Sequence, residues 1–166
     1  MLSEDEAVEE GVEVRETGAG KFQVEVSAAR SRFLSDEPVS VGGLGSGPTP
    51  YDLLASALGA CTAMTVRLYA ARKAWPLESV TVRVLHRREG LETKDRFARE
   101  IVLTGDLTVE QRARILEIAN RCPVHETLER GSEVITVLAQ KPLAGGLDPE
   151  PVTHVTDMME ACLDEA

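Results

Sequence analysis

Residues 53–64 read Leu-Leu-Ala-Ser-Ala-Leu-Gly-Ala-Cys-Thr-Ala-Met, apolar or small at nearly every angle around a helix. A surface helix buries one stripe and wets the rest, so this one must be central and closely packed. Its start is marked by Thr49 as N-cap, Pro50 at the first helical position and Asp52 third, where the carboxylate can accept from the cap amide. The helix should run to about Lys73, ahead of Ala74-Trp75-Pro76. At 166 residues the chain has the size of one ordinary domain. This helix offers more apolar faces than such a domain covers, so an obligate homodimer is expected. The apolar run, Leu53 to Val66, is broken by Ser56, Thr62 and Thr65 and is shorter than the ~18–20 residues of a membrane span, so no membrane partner is expected.

The other elements fall on either side. Thr17-Gly18-Ala19-Gly20 sits between Val12/Val14 and Phe22/Val24/Val26, both alternating with polar residues, which predicts a β-hairpin. A third short strand is expected around Arg32 to Leu34, then the loop Gly42-Gly43-Leu44-Gly45-Ser46-Gly47 as a flexible entry into the helix. After the helix, strands are predicted over 79–87 and 97–104. Thr108-Val109-Glu110-Gln111 is a capping box, and the helix it opens should carry Ile115, Ala119 and Cys122 on one stripe until Pro123 ends it. A last strand is expected over 133–138, and 153–163 as a short acidic helix. The order is βββ-α-ββ-α-β, an α+β fold with antiparallel sheets, because strands come in adjacent groups and not in βαβ alternation. The expected division is a domain over 1–142 and an acidic C-terminal extension over 143–166.

With aromatics at 4%, the core must come from Leu, Val, Ile and Ala. The net charge of −10, gathered at the two ends, and the lack of any basic run argue against nucleic acid. The N-terminus is acidic where an export signal would be basic and then apolar. Three widely spaced cysteines, an odd number, make a disulfide scaffold improbable. A cytoplasmic location is expected from both features. The glycine loop lacks GK[ST] and follows no parallel strand, so it is not read as a phosphate cradle. Cys122-Pro123-Val124-His125 offers two ligands where zinc needs three or four, so no metal is expected. His86 and His154 carry no pattern.

Cys61, in the middle of the apolar helix, reads first as a buried small residue. Cys122 differs, since it lies at a helix end, is flanked by Arg121 and is fixed by Pro123. The segments Gly47-Pro48-Thr49-Pro50-Tyr51-Asp52-Leu53-Leu54, Leu58-Gly59-Ala60-Cys61-Thr62-Ala63-Met64-Thr65 and Arg121-Cys122-Pro123-Val124-His125 resemble the OsmC-like family, which includes the organic hydroperoxide resistance proteins. The resemblance spans roughly 12–138. It implies a thiol peroxidase in which one cysteine reduces an organic hydroperoxide, the second closes a disulfide, and an external dithiol, lipoyl-type or a small thiol, resets the pair. It also implies an intertwined homodimer with central helices between sheets, and no bound cofactor.

Helix polarity then suggests the roles. Cys122, read at a helix C-terminus where the dipole is negative, should resolve; Cys61 should attack, forming a Cys61 sulfenic acid and then a Cys61–Cys122 disulfide. Burial would raise the Cys61 pKa, so a cation must hold its thiolate. The family supplies an arginine tied to a glutamate directly after the helix-opening proline. Here that position is Tyr51 and the nearest acid is Asp52, whose other reading is the helix cap; Arg32 is the chosen arginine, with Arg30 and Arg15 close behind. Tyr51 in place of the acid favours the alternative function, a non-catalytic redox sensor or small-ligand-binding module of the same fold. Cys162, outside the resemblance and between Glu160 and Asp164, is expected to take no part.

Overall fold

In the computed structural model, residues 11–28, 30–136, 138 and 154–163 are described. They form β1 (Val12–Glu16), β2 (Val24–Ala28), β3 (Ser31–Ser35), α1 (Pro50–Arg72), β4 (Ser79–Arg87), β5 (Arg96–Thr104), α2 (Val109–Ala119), α3 (Pro123–Arg130) and α4 (His154–Ala161). The architecture is α+β with antiparallel sheets, as the order of strands predicts. The chain divides into two compact units, parting within α1 at Leu53/Leu54.

The first unit carries the three-stranded meander β1-β2-β3, in which Val14 faces Val26 and Val26 faces Phe33 across the ladders. The glycine loop that follows is tied down, not flexible. Asp36 accepts from the amides of Glu37, Leu44 and Ser46 at 2.8, 3.0 and 3.3 Å and from the Ser46 hydroxyl at 2.7 Å. Gly43 and Gly47 permit this, since a Cβ at either would lie 1.9 Å from a carbonyl oxygen, of Glu37 and Leu34 respectively.

The second unit holds most of α1, the β4-β5 hairpin and α2 to α4. Both strands alternate strictly, with Val80, Ile101 and Leu103 packed against the buried cluster Val66, Ala70, Leu77, Leu107, Ile115 and Ala119. Truncating a fully buried residue such as Ile115 to Ala should cost about 2–5 kcal/mol. α1 opens as its sequence dictates: the Thr49 amide donates to Asp52 Oδ2 at 2.9 Å and the Asp52 amide to Thr49 Oγ1 at 3.2 Å. By length and mean hydropathy, 1.4 over 18 residues, α1 is also comparable to a membrane span. Leu58, Cys61, Thr62, Thr65, Val66, Tyr69 and Ala70 are nevertheless buried in protein, while Leu54, Ala57, Ala60 and Met64, three or four residues apart, remain exposed.

Three expectations need correction. Cys122 does not end α2, which stops at Ala119 with Asn120 as C-cap; it is the N-cap of α3, with Pro123 at the first helical position. Proline, which has no N–H, fits a first helical position where that donor would go unpaired anyway, so it starts a helix as readily as it stops one. Residues 133–136 form no strand, and Val137 lies outside the described residues. Val134 and Ile135 are 83% and 75% exposed, and among the described residues no strand edge pairs with them. Finally, Cys162 is packed against protein and not set among the acids that flank it in sequence, just past the short acidic helix α4 that the sequence predicts. α4 buries Met158, and Cys162 lies 3% exposed against Tyr69 and Ile118, its Sγ 3.7 Å from the Thr65 carbonyl.

Candidate active site

α1 presents Cys61 on its buried side, and the break between α2 and α3 presents Cys122. The two residues meet in one buried cluster with Leu58. Both are reduced and at most 2% exposed.

The surroundings of Cys122 favour negative charge. Its Sγ lies 3.5 Å from the Thr62 hydroxyl and 3.7 Å from Arg99 Nη1. Arg99 is held by donating to Thr62 Oγ1 at 2.7 Å and to Asn120 Oδ1 at 2.8 Å. Cys122 is also the N-cap residue of α3, at the positive end of that helix, although its side chain makes no cap hydrogen bond. The hydrogen bond from Cys61, followed by those from the Thr62 hydroxyl and the His125 amide and by the Arg99 charge, outweighs burial and holds Cys122 down to about 5. Cys61 moves the other way: its bond to Cys122, then burial, pushes its pKa up, and the Val124 amide, donating to Sγ at 3.3 Å, only partly opposes this. The premise that Cys122 occupies the negative end of a helix is thus reversed.

The other residues singled out in the sequence lie in the first unit. Arg32 is exposed on β3 opposite Ser27, and the Asp52 carboxylate takes up both the amide and, at 2.7 Å, the hydroxyl of Thr49, which holds its pKa down. The arginine beside the thiols within the second unit is Arg99. A signal for it existed in the sequence: on β5 it alternates with Phe97, Ile101 and Leu103, which places a charge on the inward face of a strand. A second residue missed by sequence reasoning is His154, at the start of α4, whose Nε2 lies 3.1 Å from Cys61 Sγ. No spacing or motif announces it. Next to Leu58 and Arg99 a groove of about 620 Å³ has a mixed lining, apolar at Phe97, Ile101, Leu116 and Leu128 and polar or charged at Lys94, Asp95, Arg96, Asn120, His125 and Glu129. Among the described residues, no three His, Cys, Asp or Glu side chains converge as a metal cage would.

Residues 43–137, more than half of the chain, match the family model described as OsmC-like protein. No curated protein matches the sequence. Among solved structures, a protein from Psychrobacter arcticus named for osmotic stress induction and detoxification response is similar with a TM-score of 0.60 and 20% identity, over 70% of this chain and 85% of its own. An OsmC-like protein from Mycoplasma pneumoniae gives 0.59 and 18%, over 72% and 86%. An organic hydroperoxide resistance protein from Legionella pneumophila gives 0.55 and 22%, over 71% and 87%. At these identities the likeness is one of fold.

Proposed function

The chain belongs to the OsmC-like family, and from that premise we propose that it reduces organic hydroperoxides with its two buried thiols. The observation that carries the reading is that Cys61 and Cys122, from distant parts of the sequence, pack together in one buried cluster. Structural relatives named as organic hydroperoxide resistance proteins support it. The Cys61 thiolate attacks the terminal oxygen of ROOH, the O–O bond breaks, and the departing alkoxide takes up the proton released from Cys61 and leaves as ROH, with a Cys61 sulfenic acid behind. Cys122, already poised as a thiolate, attacks that sulfur and expels water once the departing hydroxide gains a proton, closing the disulfide. An external dithiol, lipoyl-type or a small thiol, then reduces it. The apolar wall of the groove, Leu58, Phe97, Ile101, Leu116 and Leu128, suits the organic part of the peroxide. A second copy of the chain covering the exposed stripe from Leu54 to Met64 completes the reading as a homodimer, which a stable folded monomer in sedimentation would contradict.

Steady-state consumption of an alkyl hydroperoxide in the presence of a dithiol tests the proposal: the enzyme turns over many times, whereas a redox sensor stops after one equivalent. The depressed pKa of Cys122 favours a second reading in which Cys122 attacks and Cys61 resolves. Mass spectrometry after one peroxide addition separates the two, because a sulfenic acid accumulates on Cys61 in Cys122→Ser under the first reading and on Cys122 in Cys61→Ser under the second.

A further inference from the structure

We propose that His154 is a catalytic residue that takes the proton from Cys61, forming a thiolate–imidazolium couple across the contact between α4 and α1. The inference rests on Cys61 being the attacking thiol. Its ground is geometric. His154 Nε2 stands 3.1 Å from Cys61 Sγ, and the Val124 amide donates to the same sulfur at 3.3 Å. An imidazole nitrogen and an amide donor therefore both address one atom, the first placed to remove the proton and the second to stabilise the charge left behind. Arg99 cannot be assigned this task at Cys61, since its guanidinium is engaged with Thr62, Asn120 and the Cys122 sulfur.

The contact follows from how α4 is seated. His154, Met158 and Cys162 are four residues apart and share one face. Met158 and Cys162 are buried at 6% and 3% exposure, Cys162 against Tyr69 and Ile118, so the packing of the last two turns aims the first toward α1. The C-terminal end is fastened by two cations: Arg72 Nη1 donates to the Met159 carbonyl at 3.4 Å and Arg121 Nη1 to the Leu163 carbonyl at 3.3 Å. Arginines on the last carbonyls of a helix satisfy orphan acceptors and suit its dipole.

The electrostatics around the imidazole are mixed. Its position at the start of α4 opposes a positive charge, while Asp157, one turn on, favours it. Cys61 faces it from α1, and Cys122 packs on Cys61 in the same buried cluster. Arg121, Glu126 and Arg130 line the groove between α3 and α4 with Asp157 and Glu160. Cys122 and then burial push the Cys61 pKa up, so its proton needs an acceptor, and the His154 imidazole stands within reach of the sulfur. In the reaction the S–H proton passes to Nε2, and sulfur bonds to the terminal peroxide oxygen as the O–O bond breaks. The alkoxide takes the proton back from the imidazolium, so that Cys-SH and ROOH become Cys-SOH and ROH with His154 neutral again.

The test is alkylation of Cys61 by iodoacetamide in the full-length Cys122→Ser/Cys162→Ser chain, as a function of pH. It needs no hydroperoxide, so its outcome is independent of the peroxidase reading. Near neutral pH, His154→Ala should slow alkylation on the order of 10- to 100-fold and move the rate profile to higher pH. His154→Gln, which fills the space but takes no proton, should be equally slow, and free imidazole should partly rescue the alanine variant. Circular dichroism of each variant shows that it is folded. Alkylation that is unchanged or faster in His154→Ala, or restored by His154→Gln, overturns the proposal and leaves α4 as a cover over Cys61.

Discussion

Cys61 and Cys122 share a contact but not an environment. One side of the pair has a guanidinium, a hydroxyl and the start of a helix; the other has an apolar helix interior, one backbone amide and one imidazole. Equal burial therefore gives opposite results, because a thiolate is lost to desolvation only where nothing nearby favours its charge. The surroundings therefore favour a negative charge on Cys122 over one on Cys61.

The largest expected effect comes from removing either sulfur. Cys61→Ser should lose rapid reaction with an alkyl hydroperoxide by roughly three orders of magnitude or more, measured by stopped-flow mixing. Cys122→Ser should keep one fast turnover and stop. Fast oxidation of Cys122 in the Cys61→Ser protein would invert the comparison.

Next is the guanidinium. Arg99→Gln keeps a donor near Thr62 but removes the charge, so the Cys122 thiolate should become less stable and disulfide closure at slightly acid pH should slow by about 10-fold. Thiolate absorbance followed by pH would show the midpoint moving up from about 5. A midpoint that stays put would deny Arg99 its part.

The same asymmetry bears on stability. Cys122 is depressed from an ordinary thiol value of 9.0 to about 5 in the folded chain, so its contribution is fully present above 9.0 and is lost as pH falls through about 5. Cys61 is raised, so the folded state pays instead when pH climbs above 9.0, where the unfolded thiol ionises. Denaturant midpoints of the reduced chain should rise between these values, and less steeply in Cys122→Ser. A slope unchanged by that substitution would contradict the assignment.

The start signals of the helices were legible, since Thr49 with Asp52 and Thr108 with Gln111 are local pairs whose bonds form within one turn. β4 and β5 were legible because two-residue alternation survives any tertiary context. Pro123 was ambiguous, as proline stops one helix and starts the next, and that one misreading reversed the dipole at Cys122. Residues 133–136 show that a strand pattern needs a partner edge, which local sequence does not supply. Arg99 could have been found from its inward register. His154 could not, because its position depends on α4 docking through Met158 and Cys162.

The smallest effect is expected at the third thiol. Cys162 is packed, not solvated, so Cys162→Ala should leave turnover unchanged and cost about 1 kcal/mol in urea unfolding, close to the loss of one small buried group. Loss of turnover in a folded Cys162→Ala protein would bring a third sulfur into the cycle and break the two-sided comparison.

The central claim is that Cys61 and Cys122 act as one redox pair. Counting free thiols before and after one equivalent of an alkyl hydroperoxide, with peptide mapping of the product, tests it directly. The expected result is loss of two thiols per chain, a Cys61–Cys122 disulfide, Cys162 still free, and full recovery with a dithiol. Loss of one thiol, a disulfide that includes Cys162, or no loss at all would contradict it.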